Sequence, residues 1–211
     1  MANHPGVIHF VPGCHAPHTN VHISSLRCSK QVQLGVIVKF YLLGPLRVTD
    51  GECTVTPAAP RLRSVLALLL LHNDHVVSPE LIDEELWPHD RPVNSRTAVR
   101  TYVYQLGKLF NRAHTLFTVE PNGYAAHAKW HELDITEFEL LASSGRHALE
   151  EGRVRDGSAT LRQALRLRSG ATLSDVPHGP VLGPLVEAVE ADVHTVEALT
   201  AAAVGPAPFA N

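Results

Sequence analysis

With 211 residues, the chain has room for one large domain or two small ones, and its 45% hydrophobic and 18% charged content describes a globular protein rather than a disordered or fibrous one. No run approaches the ~20 apolar residues that a bilayer core requires, and no basic-then-apolar leader opens the chain, so no membrane segment is expected and the expected location is cytoplasmic. The net charge of −3 is unevenly spread, because twelve acidic side chains meet six basic ones from residue 132 onward, while residues 36–131 carry ten basic and nine acidic ones.

Residues 1–35 place His4, His9, His15, His18 and His22 among prolines, glycines and asparagines with no period of 2 or 3.6, and read as a disordered leader. Cys14, His15, His18, His22 and Cys28 carry ligand atoms at irregular spacing, so neither a metal nor a cofactor is expected. The three cysteines, with Cys53, read as reduced thiols. A strand-like run, Val36–Leu43, is followed by Leu46-Arg47-Val48 and an Asp50-Gly51 turn, and Thr54-Val55-Thr56 supplies a returning strand. These features predict a small antiparallel sheet at 36–56.

Pro60 then opens a helix that is apolar nearly all round, through Leu62, Val65, Leu66, Leu69 and Leu70, and so belongs in the core. Asn73-Asp74 ends it, and Val76-Val77 is a short extended link. His72, Asp74 and His75 at that helix end read as capping and solvent-facing groups. Ser78-Pro79-Glu80 is a helix start, with a hydroxyl cap, proline at the first position and an acid in the first turn. Leu81, Ile82, Leu86 and Trp87 give this second helix its buried side, and Glu80, Asp83, Glu84 and Glu85 read as solvated.

A third helix, capped by Asn94 or Ser95 and running to about Phe110, carries a core stripe at Val99, Val103, Leu106 and Phe110. Arg96, Arg100, Tyr104, Lys108 and Arg112 recur every fourth residue on another face, and no acidic residue occurs between Val93 and Val119. A major groove accepts one helix bearing long donors for base edges and phosphates. Arg96 and Arg100 suit base or phosphate contact, Thr97, Thr101 and Tyr104 add flanking donors, and Lys108 and Arg112 suit backbone phosphate. Next, Leu116–Glu120 and Tyr124–His127 flank Pro121-Asn122-Gly123, a hairpin with an Asn-Gly signal. Helix, short helix, basic helix and hairpin in that order predict a winged helix-turn-helix over 36–131, with Asn122, Gly123 and Tyr124 as wing contacts to double-stranded DNA. Behind it, over 132–211, a helical hairpin at Asp134–Glu151 and Asp156–Arg168 turns at Gly152–Arg155, and a third helix spans roughly 180–203.

Several of these segments, in order, resemble the SARP family of actinomycete regulators of antibiotic pathways. They are Lys39–Leu46, Pro60–Leu70, Val76-Val77-Ser78 with Leu81-Ile82-Asp83 and Leu86-Trp87, Ser95-Arg96-Thr97, Thr101-Tyr102-Val103 and Asn122-Gly123-Tyr124. Leu133-Asp134, Phe138, Leu161–Leu165 and Gly170–Val176 continue the resemblance. It implies a mainly α fold with small β-sheets, an OmpR-like winged helix followed by a bacterial transcriptional activation domain of tetratricopeptide-like hairpins. It further implies binding to promoter direct repeats as a homodimer, recruitment of RNA polymerase, and activator-type control of a biosynthetic pathway. The chain departs from the family at Gln105, Gly107 and Ala125, where basic residues are usual. Its activation domain also reads as truncated, since stacked-helix repeats need about three units; a member that binds DNA and activates weakly is the expectation.

No Gly-rich phosphate loop, Gly-x-Ser-x-Gly or HExxH motif is present, and no enzymatic role is expected. The alternative to a DNA-binding regulator is a protein-interaction module, or a DNA-binding-deficient remnant, in which the acidic C-terminal helices bind a partner.

Overall fold

The computed structural model describes residues 38–110 and 116–204. The leader expected at 1–35 and the site candidate Arg112 therefore lie outside the described residues. Three strands, β1 (Val38–Tyr41), β2 (Arg47–Asp50) and β3 (Cys53–Thr54), form an antiparallel sheet in the order β1-β2-β3. Phe40 pairs with Val48, and strand alternation sends Val38, Phe40 and Val48 into the core while Lys39 faces out. Gly51, at φ 63°, makes the predicted turn into β3. Cys53 is disulfide-bonded, a departure from the reduced state expected; Cys14 and Cys28 lie outside the described residues.

Helix α1 (Pro60–Leu71) starts with proline at a position whose N–H would have no helical acceptor. Its residues Leu62 and Ser64–Leu70 are all buried, as an apolar helix in a two-sided core requires. Ser78 caps α2 (Pro79–Leu86) by accepting the Leu81 N–H at 3.2 Å. After a loop comes α3 (Ser95–Leu109), whose stripe Val99, Val103, Leu106 and Phe110 is buried as the periodicity predicts. A hairpin of β4 (Phe117–Glu120) and β5 (Gly123–Ala126) follows. Its two-residue turn is Pro121-Asn122 rather than Asn122-Gly123, because Glu120 pairs with Gly123 and draws the glycine into the strand.

Beyond the hairpin, α4 (Asp134–Glu150) and α5 (Val154–Leu165) form the expected helical hairpin, turned at Gly152 with φ 77°, and α6 (Leu182–Val204) packs on α5 and α1. Helix α5 starts two residues earlier and ends three residues earlier than expected. The α4–α5 crossing is close because it is lined with glycine: a Cβ on Gly145 would lie 2.6 Å from Leu161, and one on Gly157 would lie 2.7 Å from Leu149.

The two sequence regions share one hydrophobic cluster, running from Phe40 and Leu66 through Phe138 and Leu161 to Val193. Three carboxylates pin the join. Asp134 accepts the N–H groups of Leu42 (2.8 and 2.9 Å) and Leu43 (3.0 Å). Asp175 accepts the Leu46 N–H at 2.7 Å and pairs with Arg63. Glu85 accepts N–H groups of Gly179 (2.6 Å), Val181 (3.0 Å) and Leu182 (2.8 Å) at the entry to α6. The reading of Glu85 and Asp83 as solvated is thus corrected: both are buried, since α2 is wedged between α3 and the start of α6, where unpaired N–H groups and a guanidinium need acceptors.

Candidate nucleic-acid interface

The candidate surface is built from α2, α3 and the hairpin, and each has its own anchor. Asp83 fixes the turn between the helices. Its Oδ2 accepts from the Ser95 hydroxyl at 3.0 Å and from the Arg91 guanidinium, while Arg91 Nε donates to Ser95 Oγ at 3.1 Å. Ser95 is therefore committed to a buried carboxylate rather than to a helix cap, and Asn94, at the cap position, makes no side-chain capping bond.

The hairpin is anchored by backbone. Val77 and Tyr124 exchange N–H···O bonds of 2.8 and 3.0 Å, so the α1–α2 link runs as a short strand beside β5. This approach demands glycine at position 123, because a Cβ there would lie 2.1 Å from the Val77 carbonyl oxygen. At the base of the hairpin, the His127 ring bridges Asp74 (Nδ1, 2.8 Å) and the Thr118 hydroxyl (Nε2, 3.0 Å). Sequence periodicity missed the Val77 pairing, and its only local trace is the β-branched pair Val76-Val77.

With α3 held this way, Arg96, Thr97, Arg100, Thr101, Tyr104 and Lys108 are all exposed, on the side away from the buried stripe. The Thr101 hydroxyl donates to the Thr97 carbonyl at 2.8 Å, leaving its oxygen free to accept. The Lys108 ammonium stands 5.2 Å from the Tyr104 ring centroid, within cation–π range. Arg96, in the first turn, reaches back to Glu80 of α2 at 2.5 Å.

The wing candidates divide. Asn122 is exposed at the tip beside Pro121, whereas Gly123 is buried against Val77 and Tyr124 is half-buried. Of the departures from the family pattern, Gly107 is exposed with open space where a side chain would stand, and Ala125 is buried in β5. His127 and Lys129, just after β5, are exposed basic side chains. Among the described residues no cluster of His, Cys, Asp and Glu could hold a metal ion, and no helix is long and apolar enough to cross a membrane.

Two family models match, together covering most of the described chain. Residues 54–126 match "Transcriptional regulatory protein, C terminal", and residues 133–205 match "Bacterial transcriptional activator domain". The chain is 34% identical over 158 residues to the regulatory protein DnrI of Streptomyces peucetius, covering 71% of this chain and 58% of that protein. To the transcriptional regulatory protein EmbR of Mycobacterium tuberculosis it is 30% identical over 175 residues, covering 80% of this chain and 45% of EmbR. The solved structure of that EmbR in complex with a low-affinity phosphopeptide superposes with a TM-score of 0.75 at 28% identity, again over 80% of this chain and 45% of the other. The chain thus spans about half the length of these relatives.

Proposed function

Because the chain joins an OmpR-like winged helix to a bacterial transcriptional activator domain, it belongs to the SARP-type regulators, and we propose that it is a sequence-specific, DNA-binding transcriptional regulator. The observation that carries this reading is the exposed face of α3: Thr97, Arg100, Thr101, Tyr104 and Lys108 stand opposite a fully buried stripe, with no acidic residue on the helix. Arg100, Thr97 and Thr101 occupy the first half of α3 and read base edges in the major groove. Lys108, Arg112 and the exposed wing tip at Asn122 track phosphates on either side.

Gly123 and Tyr124 serve the interface by holding the wing against the α1–α2 link, consistent with their burial. Domains over 36–131 and 132–211 then have distinct tasks, the first reading DNA and the second presenting helices α4–α6 to RNA polymerase from a promoter direct repeat occupied by two protomers in the cytoplasm. Both matched domains and the named relatives are regulatory, which favours this role over an enzymatic one and gives the interaction-module alternative no support.

Selection from random duplexes tests the reading. The expected outcome is an enriched direct repeat whose specificity relaxes in Arg100→Ala, while Lys108→Ala weakens all sequences alike. Recovery of no enriched sequence by the unaltered chain contradicts it.

A further inference from the structure

Glu80 is an acidic side chain that the regulatory reading leaves unused, and it lies beside the basic face of α3. It stands in the first turn of α2, 54% exposed, and holds Arg96 of α3 at 2.5 Å. The pair lines an open cleft of about 470 Å³, bounded on one side by Ser78 and Pro79 at the α2 N-terminus and on the other by Glu120, Pro121 and Asn122 of the wing. On the DNA-binding reading, a duplex seated on α3 and the wing would present its sugar-phosphate backbone to the mouth of this cleft. Arg96 is 74% exposed, so it is free to turn toward DNA once released.

Resting on the DNA-binding reading above, we propose that Glu80 is a specificity-determining residue: its carboxylate is an intramolecular competitor that occupies the Arg96 guanidinium until a well-matched DNA site displaces it. Two features of the local chemistry support the assignment. A carboxylate presents to a guanidinium the same paired oxygen acceptors as a phosphate, so each partner satisfies Arg96 at the expense of the other. Helix α3 also has no acid in its own first turn, so Glu80 adds to Asp83 a negative charge beside its N-terminus. The contact is exposed and therefore weak enough to be exchanged. Mismatched DNA, which docks α3 poorly, leaves Arg96 on Glu80 and meets the repulsion of the carboxylate; matched DNA recovers the guanidinium.

The test is Glu80→Gln in the full chain, measured by fluorescence anisotropy on a selected duplex and on mixed-sequence duplex across a salt series. Thermal denaturation of the same variant confirms that it is folded. The expected result is binding to mixed sequence tightened about three- to tenfold, with a salt slope steeper by roughly 0.9 and a smaller matched-to-mixed ratio. In an Arg96→Ala background the same change should leave the salt slope unaltered. Unchanged slope and ratio in Glu80→Gln, with wild-type binding intact, overturn the inference and leave the DNA-binding reading standing. Weaker binding by Glu80→Gln also overturns it, since the carboxylate would then be positioning Arg96 productively. No binding by either protein sinks both readings, whereas binding recovered only in Glu80→Gln supports both.

Discussion

Asp83 is the residue on which the helix-turn-helix geometry depends. It is 1% exposed and is the shared acceptor for Ser95 and Arg91. Replacing it with alanine leaves the Ser95 hydroxyl buried without its acceptor, while half-exposed Arg91 retreats to water. The expected cost is about 2 to 3 kcal/mol in urea denaturation. Asp134 behaves differently. Burial pushes its carboxyl up to about 6 against the opposing pull of hydrogen bonds from the Leu42 and Leu43 backbone. Between the ordinary carboxylate value and 6 the folded chain therefore holds more protons than the unfolded one, and this group's contribution to stability falls as pH rises through that window. The stability difference between the wild type and Asp134→Asn should accordingly decline from pH 4 to pH 7. A difference that grows with pH would mean that the backbone hydrogen bonds outweigh burial.

At the scale of elements, Gly107 is a weak point in α3. It lies in the last turn of a helix, and a Cβ there would meet nothing within 4 Å. Gly107→Ala should stabilise the protein by about 1 kcal/mol, read as a raised melting temperature, with DNA binding unchanged. The elements were largely legible in the sequence. The stripe Val99–Phe110, the Ser78-Pro79 start and the order of helices and hairpin follow from periodicity and turn chemistry alone, which are local signals. What escaped were the contacts that give α2 its acids: Asp83 meets Ser95 twelve residues away, and Glu85 meets backbone 94 to 97 residues away. A local pattern registers only that these side chains are charged, and a charged side chain on a short helix reads as solvated. Of the candidate surface, the exposed face was legible, since Arg96, Thr97, Arg100, Thr101, Tyr104 and Lys108 are all exposed on α3. The partition of the wing into an exposed Asn122 and a buried Gly123 depended on the pairing with Val77, which no residue spacing announces.

At the scale of the whole molecule, the winged helix and the activator helices are joined through a common core. Glu85 links α2 to α6, Asp134 links α4 to the loop after β1, and Asp175 links the segment before α6 to the residue preceding β2 and to α1. Unfolding followed by circular dichroism and by tryptophan fluorescence should therefore give one coincident transition, with Trp87 and Trp130 reporting the same midpoint as the helices. Glu85→Ala should split or broaden that transition, because three N–H groups at the head of α6 lose their acceptor. A rigid join also means that whatever engages α4–α6 is held in fixed register with the face of α3.

The central claim is that this face binds duplex DNA through its cations. Fluorescence anisotropy of the chain on mixed-sequence duplex, across a salt series, tests it most directly, since each phosphate neutralised contributes roughly −0.9 to the slope of log K against log salt. Arg100, Lys108 and neighbouring basic groups predict a slope of about −3 to −5 that becomes shallower by roughly one unit in Lys108→Ala. A flat response, or no binding at low salt, would contradict the account.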